Sequence, residues 1–491
     1  MRFKDKEQGF FLRCGVLELV KDLVPRIHFY DQDFVDMYDR TWVWLDEVWH
    51  PGEKDGMFSE GYFTHGNSGV INLFDVCLSA LFLVYSNQIY SPYSMIDFFY
   101  SMQAENGLIA ESYDIESKTP VFTEDNPLGI SFPLLSYVEF VFYHKIGNKK
   151  RLKDIVPVLE KYFQWIQSSC MCPNGLYSVP DSATHMGNLP REGAVYTVDY
   201  NSAVAIYALY MSYIGDILND KELSFRYKRI YFSIKTRINS MMWDSEDKFY
   251  YDLDKNEKRI KNKHIGCYWT MLAEIPNDEY ASFLIDKLKD EDEFGTENPF
   301  PSVPASSKYF TADGNGYACG VTSFFIYMVV KGLMNYGAFV FARECAIRHM
   351  YFILDTLHPD AETQGDSWEI YKPSSDGPAA MPDGVENRKR YLPMLGLVSI
   401  ALMIENIIGL EISLPRKTVN WTMQSLEEMG IEDLSLKKNS ITILSNKNTR
   451  GWEIRLESEK LYYFTIHILE DDKKKTLPIP SGKCSMLIDK L

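Results

Sequence analysis

The feature that most constrains the fold of this chain is a long series of segments with the apolar period of a helix. In each segment apolar residues, many of them aromatic, recur at spacings of three and four. Gly, Pro and Asn cluster in the gaps, as in Glu105-Asn106-Gly107. The pattern predicts helices over residues 10–22, 73–85, 93–101, 128–145, 152–168, 201–217, 221–241, 264–273, 278–288, 321–335, 339–357 and 393–408.

About a dozen helices joined by alternately short and long loops are typical of a closed ring. In a two-layer ring each helix buries one face, and loops surround an axial cleft. The sequence therefore predicts an all-α toroid. A helical solenoid is the competing architecture, although the sequence has no fixed-period repeat to support it.

After Gly409 the pattern changes to short β-type runs, at 410–414, 440–444, 452–457 and 461–468. Turn residues such as Asn446-Lys447-Asn448 separate these runs. We expect a helical domain over 1–410 and a small, antiparallel, sandwich-like β domain with an accessory role over 411–491.

Charge and composition exclude several classes of partner. A net charge of −17 disfavours nucleic acid and anionic membranes, because neutralising phosphates needs clustered Lys and Arg. No window has the roughly 18 apolar residues of a membrane helix, and the charged N-terminus has no signal-type apolar core. We expect a cytoplasmic protein, although a leader already removed would leave no trace.

The eight cysteines are scattered, and Cys170-Met171-Cys172 lacks a second ligand pair. We therefore expect reduced thiols, no metal site and no cofactor.

The segment Trp368-Glu369-Ile370-Tyr371-Lys372-Pro373 carries the strongest chemical signal. It places a carboxylate between aromatic side chains, beside the turn Ser374-Ser375-Asp376-Gly377. Aromatic faces bind the apolar faces of sugar rings, and a carboxylate beside them can activate water. The alternative is an ordinary loop with a solvated Glu. A sugar site is favoured because other polar groups, Asp75 and Asp199 among them, also stand at predicted helix starts, where they could equally act as caps.

Several short motifs resemble, in order and spacing, those of inverting α-glycosidases with an (α/α)6 barrel. This chain has Phe74-Asp75 where the family has Trp-Asp, Gln103 to Gly107 where it has Gln-x-x-x-Gly, and Val198-Asp199-Tyr200-Asn201 where it has Val-Asp-Leu-Asn. Three further segments also resemble the family: Trp243-Asp244 with Tyr250 and Asp252, the Trp368 segment, and Pro393-Met394-Leu395-Gly396. Over residues 72–410 the chain is most similar to glycoside hydrolase family 63 and the mannosylglycerate hydrolases, and more distantly to trehalases.

The resemblance implies residue roles. Glu369 would be the general base and Asp181 the general acid, with Glu192 as a second candidate for the acid. The substrate-binding residues would be Asp75, Gln103, Asp199, Asn201, Tyr317, Trp368 and Tyr371. The implied reaction is hydrolysis, with inversion, of an α-linked glucoside or related α-glycoside, either a small molecule or an oligosaccharide. Inversion requires the two carboxyl groups to lie roughly 6.5–9.5 Å apart.

The sequence departs from the family at one motif. Where the family has Tyr-Trp-Arg-Gly, this chain has Tyr317-Ala318-Cys319-Gly320. The contacts that the missing Trp and Arg would make with substrate are therefore absent, and the choice of substrate is expected to differ.

Two other function classes stay open. Sugar epimerases and isomerases share the helical toroid and transfer protons with histidines, for which His185 and His264 are the candidates. A non-catalytic carbohydrate-binding module on the same fold would lack paired carboxylates across the cleft. Release of reducing sugar, compared with aldose–ketose conversion, separates the two kinds of enzyme.

Overall fold

The computed structural model describes residue 20 and residues 23–53, 56–64, 69–358, 365–435, 439–469, 473–479 and 482–488. Within these ranges there are twelve α-helices. They are α1 Gln32–Val48, α2 Leu73–Leu83, α3 Ser94–Ser101, α4 Leu135–Ile146, α5 Lys149–Cys170, α6 Val198–Leu218, α7 Lys221–Met241, α8 Trp269–Leu272, α9 Asp278–Lys289, α10 Ser323–Asn335, α11 Phe339–Leu357 and α12 Leu392–Gly396. A π-helical segment, Leu397–Ile407, continues α12.

Even-numbered and odd-numbered helices form two layers. The pair α6 and α7 shows the difference, since 17 of the 21 residues of α6 are buried but only six of the 21 in α7. The outer helix α7 buries one stripe, including Leu223, Tyr227, Tyr231 and Ile238, whereas α6 is buried nearly all round. The inner layer therefore consists of the even-numbered helices.

The inner helices close into a ring. Each contacts the next along the chain, and the last, α12 with its π-helical segment, packs on α2. At this closure Gly396 lies so near the Phe82 ring that a Cβ would come within 2.4 Å of it. The fold is thus the predicted (α/α)6 toroid and not a solenoid. No helix in the described ranges has the length and apolar character needed to cross a membrane.

The predicted helices agree with the structure best where caps and apolar period coincide. Helices α7 and α11 have the predicted bounds, and the capping side chain of Asp220 begins α7. The prediction of a helix from residue 128 was wrong at its start, because α4 begins only at Leu135, after Pro133. Residues 264–273 form a 3₁₀ turn, Ile265–Tyr268, followed by α8.

Helix α1 was missed, although Asp31 caps it and Phe34, Tyr38, Trp42 and Leu45 bury one face at helical spacing. The helix predicted over 10–22 lies almost entirely outside the described residues.

Three short two-stranded antiparallel sheets lie on the barrel. They pair β2 Val70–Asn72 with β3 Ser112–Asp114, β4 Trp243–Asp244 with β5 Phe249–Tyr250, and β6 Val321–Thr322 with β7 Ile370–Tyr371. The last of these brings the Glu369 segment to the start of α10.

The C-terminal region forms two packed sheets. Its strands are β8 Leu410–Ser413, β9 Thr418–Met423, β10 Met429–Ser435, β11 Ser440–Asn448, β12 Gly451–Ser458, β13 Tyr462–Ile468, β14 Lys473–Ile479 and β15 Gly482–Ile488. The sheet orders are β1-β10-β11-β12-β15 and β14-β13-β9-β8, where β1 is Arg26–His28 from the N-terminal region. The pairing in these sheets is antiparallel, as expected, except between β9 and β13, which are parallel.

Candidate active site

The N-terminal ends of the inner helices meet at one end of the ring, because one outer helix returns the chain between each pair of inner helices. A cavity of about 470 Å³ opens there, beside the first turn of α2 and the loop before α12. Asp75, His185, Arg388 and Tyr391 are among its lining residues. Helix N-termini carry partial positive charge, so this end of the ring favours carboxylates.

Glu369 is bound to Arg388, one of the residues that line this cavity. The residue is only 3% exposed, and its backbone N–H donates to the Arg388 carbonyl at 2.8 Å. Arg388 donates two hydrogen bonds to the carboxylate, from Nε to Oε2 and from Nη2 to Oε1, both at 2.6 Å. The Tyr317 hydroxyl donates to Oε1, also at 2.6 Å. These contacts fix the orientation of the Glu369 carboxylate.

Asp75 belongs to the same network. The Tyr391 hydroxyl donates to its Oδ1, and the Arg388 guanidinium lies 3.6 Å over the Tyr391 ring. Burial raises the pKa of the Asp75 carboxyl, Arg388 and Tyr391 oppose this, and the charge of Glu369 adds to it. Asp75 is not the cap of α2, because the Asn72 side chain accepts from the first backbone N–H groups.

A second buried network surrounds Arg191. Its guanidinium contacts Asp199 at 2.7 Å and Asp252 at 3.4 Å. Asp252 also pairs with His264 Nε2 at 3.0 Å and accepts from the Val198 backbone N–H at 2.7 Å. Burial opposes ionisation of Asp252, but Arg191 and His264 outweigh it and hold the pKa of that carboxyl well below its usual range. The network fixes the start of α6.

Asp181 lies at the open side of this second network. It begins the 3₁₀ turn Asp181–Thr184, its side chain is 53% exposed, and its Oδ1 is 3.5 Å from Arg191. Partial desolvation by the surrounding loop raises its pKa, Arg191 opposes this, and the charges of Asp199 and Asp252 add to it. Its protonated form thus persists to higher pH than that of a free Asp.

The loop that carries Asp181 connects the two networks. His185 stacks on the Phe74 ring at 4.1 Å and lines the same cavity as Asp75. Gly187, with φ +50°, lies against Tyr317, whose ring a Cβ would meet at 2.5 Å. The structure therefore brings the loop of Asp181 against the residue that contacts Glu369.

The two histidines have different surroundings. His264 is hydrogen-bonded to Asp252. Burial, with a smaller contribution from Arg388, lowers the pKa of His185 to about 3, and its Nε2 lies 3.3 Å from Glu111 Oε1. His185 is therefore neutral at physiological pH. Glu192, the second candidate for the acid, is exposed.

The side chains of Asn201 and Gln103 are hydrogen-bonded to nearby backbone groups. Asn201 accepts from the Tyr177 N–H and donates to the carbonyls of Tyr177 and Thr197, so it holds the segment that leads to Asp181. Gln103 donates to the carbonyls of Gly107 and Val158 and fixes the turn after α3. The alternative that Asp199 caps α6 was wrong, because Thr197 occupies the N-cap position.

The two aromatic residues of the Glu369 segment are placed differently. Trp368 is half-buried, and the Lys389 ammonium lies 4.7 Å over its ring. Tyr371 is fully buried, accepts from the Trp368 N–H at 2.9 Å and packs edge-on against His349. In this conformation Tyr371 supports the site from the core and has no face open to a sugar, which corrects the expectation that it binds substrate by stacking.

The sequence-based prediction missed Arg388, Tyr391 and Arg191. Arg388 belongs to the basic run Arg388-Lys389-Arg390, which is conspicuous in an acidic chain and follows the Glu369 segment closely. Arg191 stands at the end of the irregular loop that carries Asp181. In both cases a cation near a candidate carboxylate was the available signal.

Comparison with known families gives two matches that together span most of the chain. The family model described as the mannosylglycerate hydrolase MGH1-like glycoside hydrolase domain matches residues 94–383. The model of the trehalase C-terminal domain matches residues 409–491.

A full-length relative and two solved structures resemble the chain. An uncharacterized protein of Borreliella burgdorferi is 47% identical over 482 residues, covering 96% of this chain and 100% of the relative. The GH63 mannosylglycerate hydrolase of Thermus thermophilus, solved in complex with glucose, is 16% identical, with a TM-score of 0.57, over 76% of this chain and 98% of that one. A sialidase structure, 16% identical with a TM-score of 0.69, is matched over 89% of this chain and 40% of its own length. At these identities the two structures show a shared fold.

Proposed function

Since the chain belongs to the mannosylglycerate hydrolase MGH1-like family of glycoside hydrolases, we propose that it cleaves an α-linked glucoside or related α-glycoside with inversion. Glu369 is the proposed general base and Asp181 the proposed general acid. The observation that carries the assignment is the buried Glu369 carboxylate, oriented by Tyr317 and by Arg388, which lines the same cavity as Asp75.

The contacts of Glu369 suit a base that must hold one orientation. A carboxylate has about four lone-pair positions, and three are used by Arg388 and Tyr317. One lone-pair position of Glu369 therefore remains for a water molecule, and another becomes available when Arg388 moves away. The Arg388 side chain is 39% exposed while that of Glu369 is 4% exposed, so Arg388 is the partner that can move.

The surroundings of Asp181 suit a general acid. Its raised pKa keeps a proton available nearer to neutral pH, and its exposed side chain leaves room for the leaving group. Inversion then requires Asp181 and Glu369 to stand roughly 6.5–9.5 Å apart across the sugar, with the water on the side of Glu369.

The remaining residues form the proposed sugar site. Asp75, whose carboxylate lines the cavity, would accept hydrogen bonds from sugar hydroxyls. Trp368 offers an aromatic face at the edge of the Glu369 segment. The Tyr317 hydroxyl donates to the carboxylate of Glu369, the proposed base. Asp199, Asn201, Gln103 and Tyr371 contribute by holding these groups in place.

The test is the anomeric outcome on a panel of α-glycosides. The panel contains α-glucosides, α-mannosides and the α-glucoside and α-mannoside of glycerate, the last because the solved relative is a mannosylglycerate hydrolase. Proton NMR at early times should show the β-anomer of the released sugar. Initial release of the α-anomer would exclude the inverting mechanism, and interconversion of free aldose and ketose without hydrolysis would favour an isomerase.

A further inference from the structure

A second cavity, of about 370 Å³, lies at the other end of the ring. The C-terminal parts of the inner helices α4 and α10 line it, and strand β8 of the C-terminal region closes one side. We call this cavity the rear pocket. Its volume is within the roughly 300–1,000 Å³ of small-molecule sites, which occur preferentially at domain interfaces.

The rear pocket has aromatic and aliphatic walls around an ionic group. The walls include Tyr137, Phe140, Tyr210 and Leu272. Beside them the hydroxyls of Tyr137 and Tyr327 are hydrogen-bonded at 3.1 Å. Such walls suit the apolar body of a small organic molecule.

Positive charge exceeds negative charge in the interior of the rear pocket. Lys331 Nζ donates to Glu405 Oε2 at 2.8 Å, and Lys145 Nζ lies 3.5 Å from Oε1 of the same carboxylate, which also accepts from Tyr85. In the described part of the chain no second carboxylate lies within 4.0 Å of either ammonium. One carboxylate therefore serves two lysines that are largely removed from water.

The rim does not balance this excess. Glu411 and Arg416 both line the cavity and both are exposed, so water screens their charges. Glu411 attracts Lys145 and Lys331, and Arg416 leaves the pocket as a whole with three positive and two negative side chains. His144 responds to the same field, since burial, Arg416 and Lys145 lower its pKa to about 4. Its ring Nε2 is buried and has no hydrogen-bond partner among the described residues.

We propose that the rear pocket binds a small organic anion, with one carboxylate or phosphate group at Lys331 and Lys145 and an apolar body against Tyr137 and Phe140. The competing explanation is that the two lysines serve only to stabilise the C-terminal ends of α4 and α10. Each helix end carries about half an elementary charge, spread over several carbonyl groups. The two explanations differ in whether an added anion is bound.

The experiment is a ¹⁹F NMR titration of the full chain with three probes of similar size. These are 4-fluorobenzoate, 4-fluorophenyl phosphate and the neutral 4-fluorobenzamide. We expect at least one anion to bind and the amide to bind at least about tenfold more weakly, because it lacks the charge that strengthens hydrogen bonds to an ammonium. Comparing the affinities of the two anions shows whether the site prefers carboxylate or phosphate.

Single-residue variants test where the anion binds. Lys331→Met should weaken anion binding by about tenfold or more, and Arg416→Met at the exposed rim should weaken it by a few-fold without endangering the fold. Lys417→Met, on the neighbouring exposed residue that does not line the cavity, is the matched control and should change nothing. Arg388→Met in the cleft should also leave binding unchanged.

Three results would overturn the proposal. They are binding of the amide as strong as that of the anions, loss of anion binding in Arg388→Met but not in Arg416→Met, and no binding of any probe at millimolar concentration. The last result would leave the lysines as stabilisers of the helix ends.

Discussion

At the N-terminal end of the inner helices the carboxylate of Glu369 is bound by Arg388, which lines a cavity, whereas at the C-terminal end Glu405 is paired with two lysines beside the β domain. Both carboxylates are nearly fully buried, with side chains 4% and 11% exposed. Their partners differ. Arg388 reaches Glu369 from a partly exposed position, while Lys145 and Lys331 reach Glu405 from inner helices.

The difference shows how the ring separates reactivity from stability. Partial positive charge at helix N-termini favours anions, and it adds to the contacts that Arg388, Tyr317 and Tyr391 make with the cleft carboxylates. At helix C-termini a carboxylate is disfavoured, and Glu405 is retained there by Lys331, Lys145 and Tyr85. Removal of Glu369 should therefore affect catalysis, and removal of Glu405 should affect stability.

The largest expected effect is that of Glu369→Gln at the cleft. The amide keeps the shape of the side chain but cannot act as a base, so kcat should fall by about 10²–10⁴-fold. The midpoint of thermal unfolding should change little, because Arg388 is partly exposed and can be solvated. The control is Glu386→Gln, an exposed carboxylate of the same loop. Hydrolysis at near wild-type rate in Glu369→Gln would remove this residue from the mechanism.

The next effect is expected from Asp181→Asn and should depend on the leaving group. Poor leaving groups need a proton, so their hydrolysis should slow by about 10²-fold or more, while activated aryl glycosides should be affected far less. In the wild type, the raised pKa of Asp181 should extend the alkaline limb of the pH profile, and Asp181→Asn should remove that limb. Glu192→Gln is the matched variant, and a larger leaving-group dependence there than in Asp181→Asn would transfer the role of acid to Glu192.

The ring could be predicted from the sequence because its signals are local. Apolar period and the Asp220 cap define α7, and Asp75 and Asp199 could be placed at helix starts from the same pattern. Since helix starts on alternate helices gather at one end of a ring, the position of the candidate cleft followed as well.

The pairing of residues could not be predicted, because it depends on contacts between distant segments. Tyr391 donates to Asp75 across 316 residues of sequence, and β1 joins a sheet made otherwise of C-terminal strands. The burial of Tyr371 also has no local signal, since an aromatic residue beside a carboxylate suits a core as well as a sugar site. The distance between the carboxyl groups of Asp181 and Glu369 also depends on such contacts, so the sequence could not predict it.

Replacement of Glu405 tests the other side of the comparison. Burial opposes its ionisation, but Lys331 and Lys145 lower its pKa to about 2, from about 4.5 in an unfolded chain. Glu405→Gln removes the carboxylate that is paired with two largely buried ammonium groups and should cost about 3 kcal/mol at neutral pH. Urea unfolding measures this loss. Glu411→Gln, on the exposed rim, should cost less than about 0.5 kcal/mol.

The pH dependence of that loss follows from the sign of the shift. A lowered pKa stabilises the folded state at pH values above the unfolded pKa, and this contribution disappears as pH falls through the folded pKa. The stability difference between the wild type and Glu405→Gln should therefore be constant between about pH 5 and 7 and shrink between about pH 4.5 and 2. A difference that grows on acidification would contradict the ion-pair account of Glu405.

The smallest effect is expected from Tyr317→Phe, which removes one of the three hydrogen bonds to the Glu369 carboxylate. Arg388 continues to hold both oxygens, so the orientation of the carboxylate is loosened but kept. A single hydrogen bond to a charged group contributes about 1.5–3 kcal/mol at most, and the remaining contacts recover part of it, so kcat should fall by about three- to tenfold. Steady-state kinetics on the best glycoside of the panel measures the change, with Tyr463→Phe on the exposed face of β13 as the control. A loss as large as that of Glu369→Gln would mean that Tyr317 itself contacts the reacting atoms, and the cleft would then depend on a hydroxyl as well as on its carboxylates.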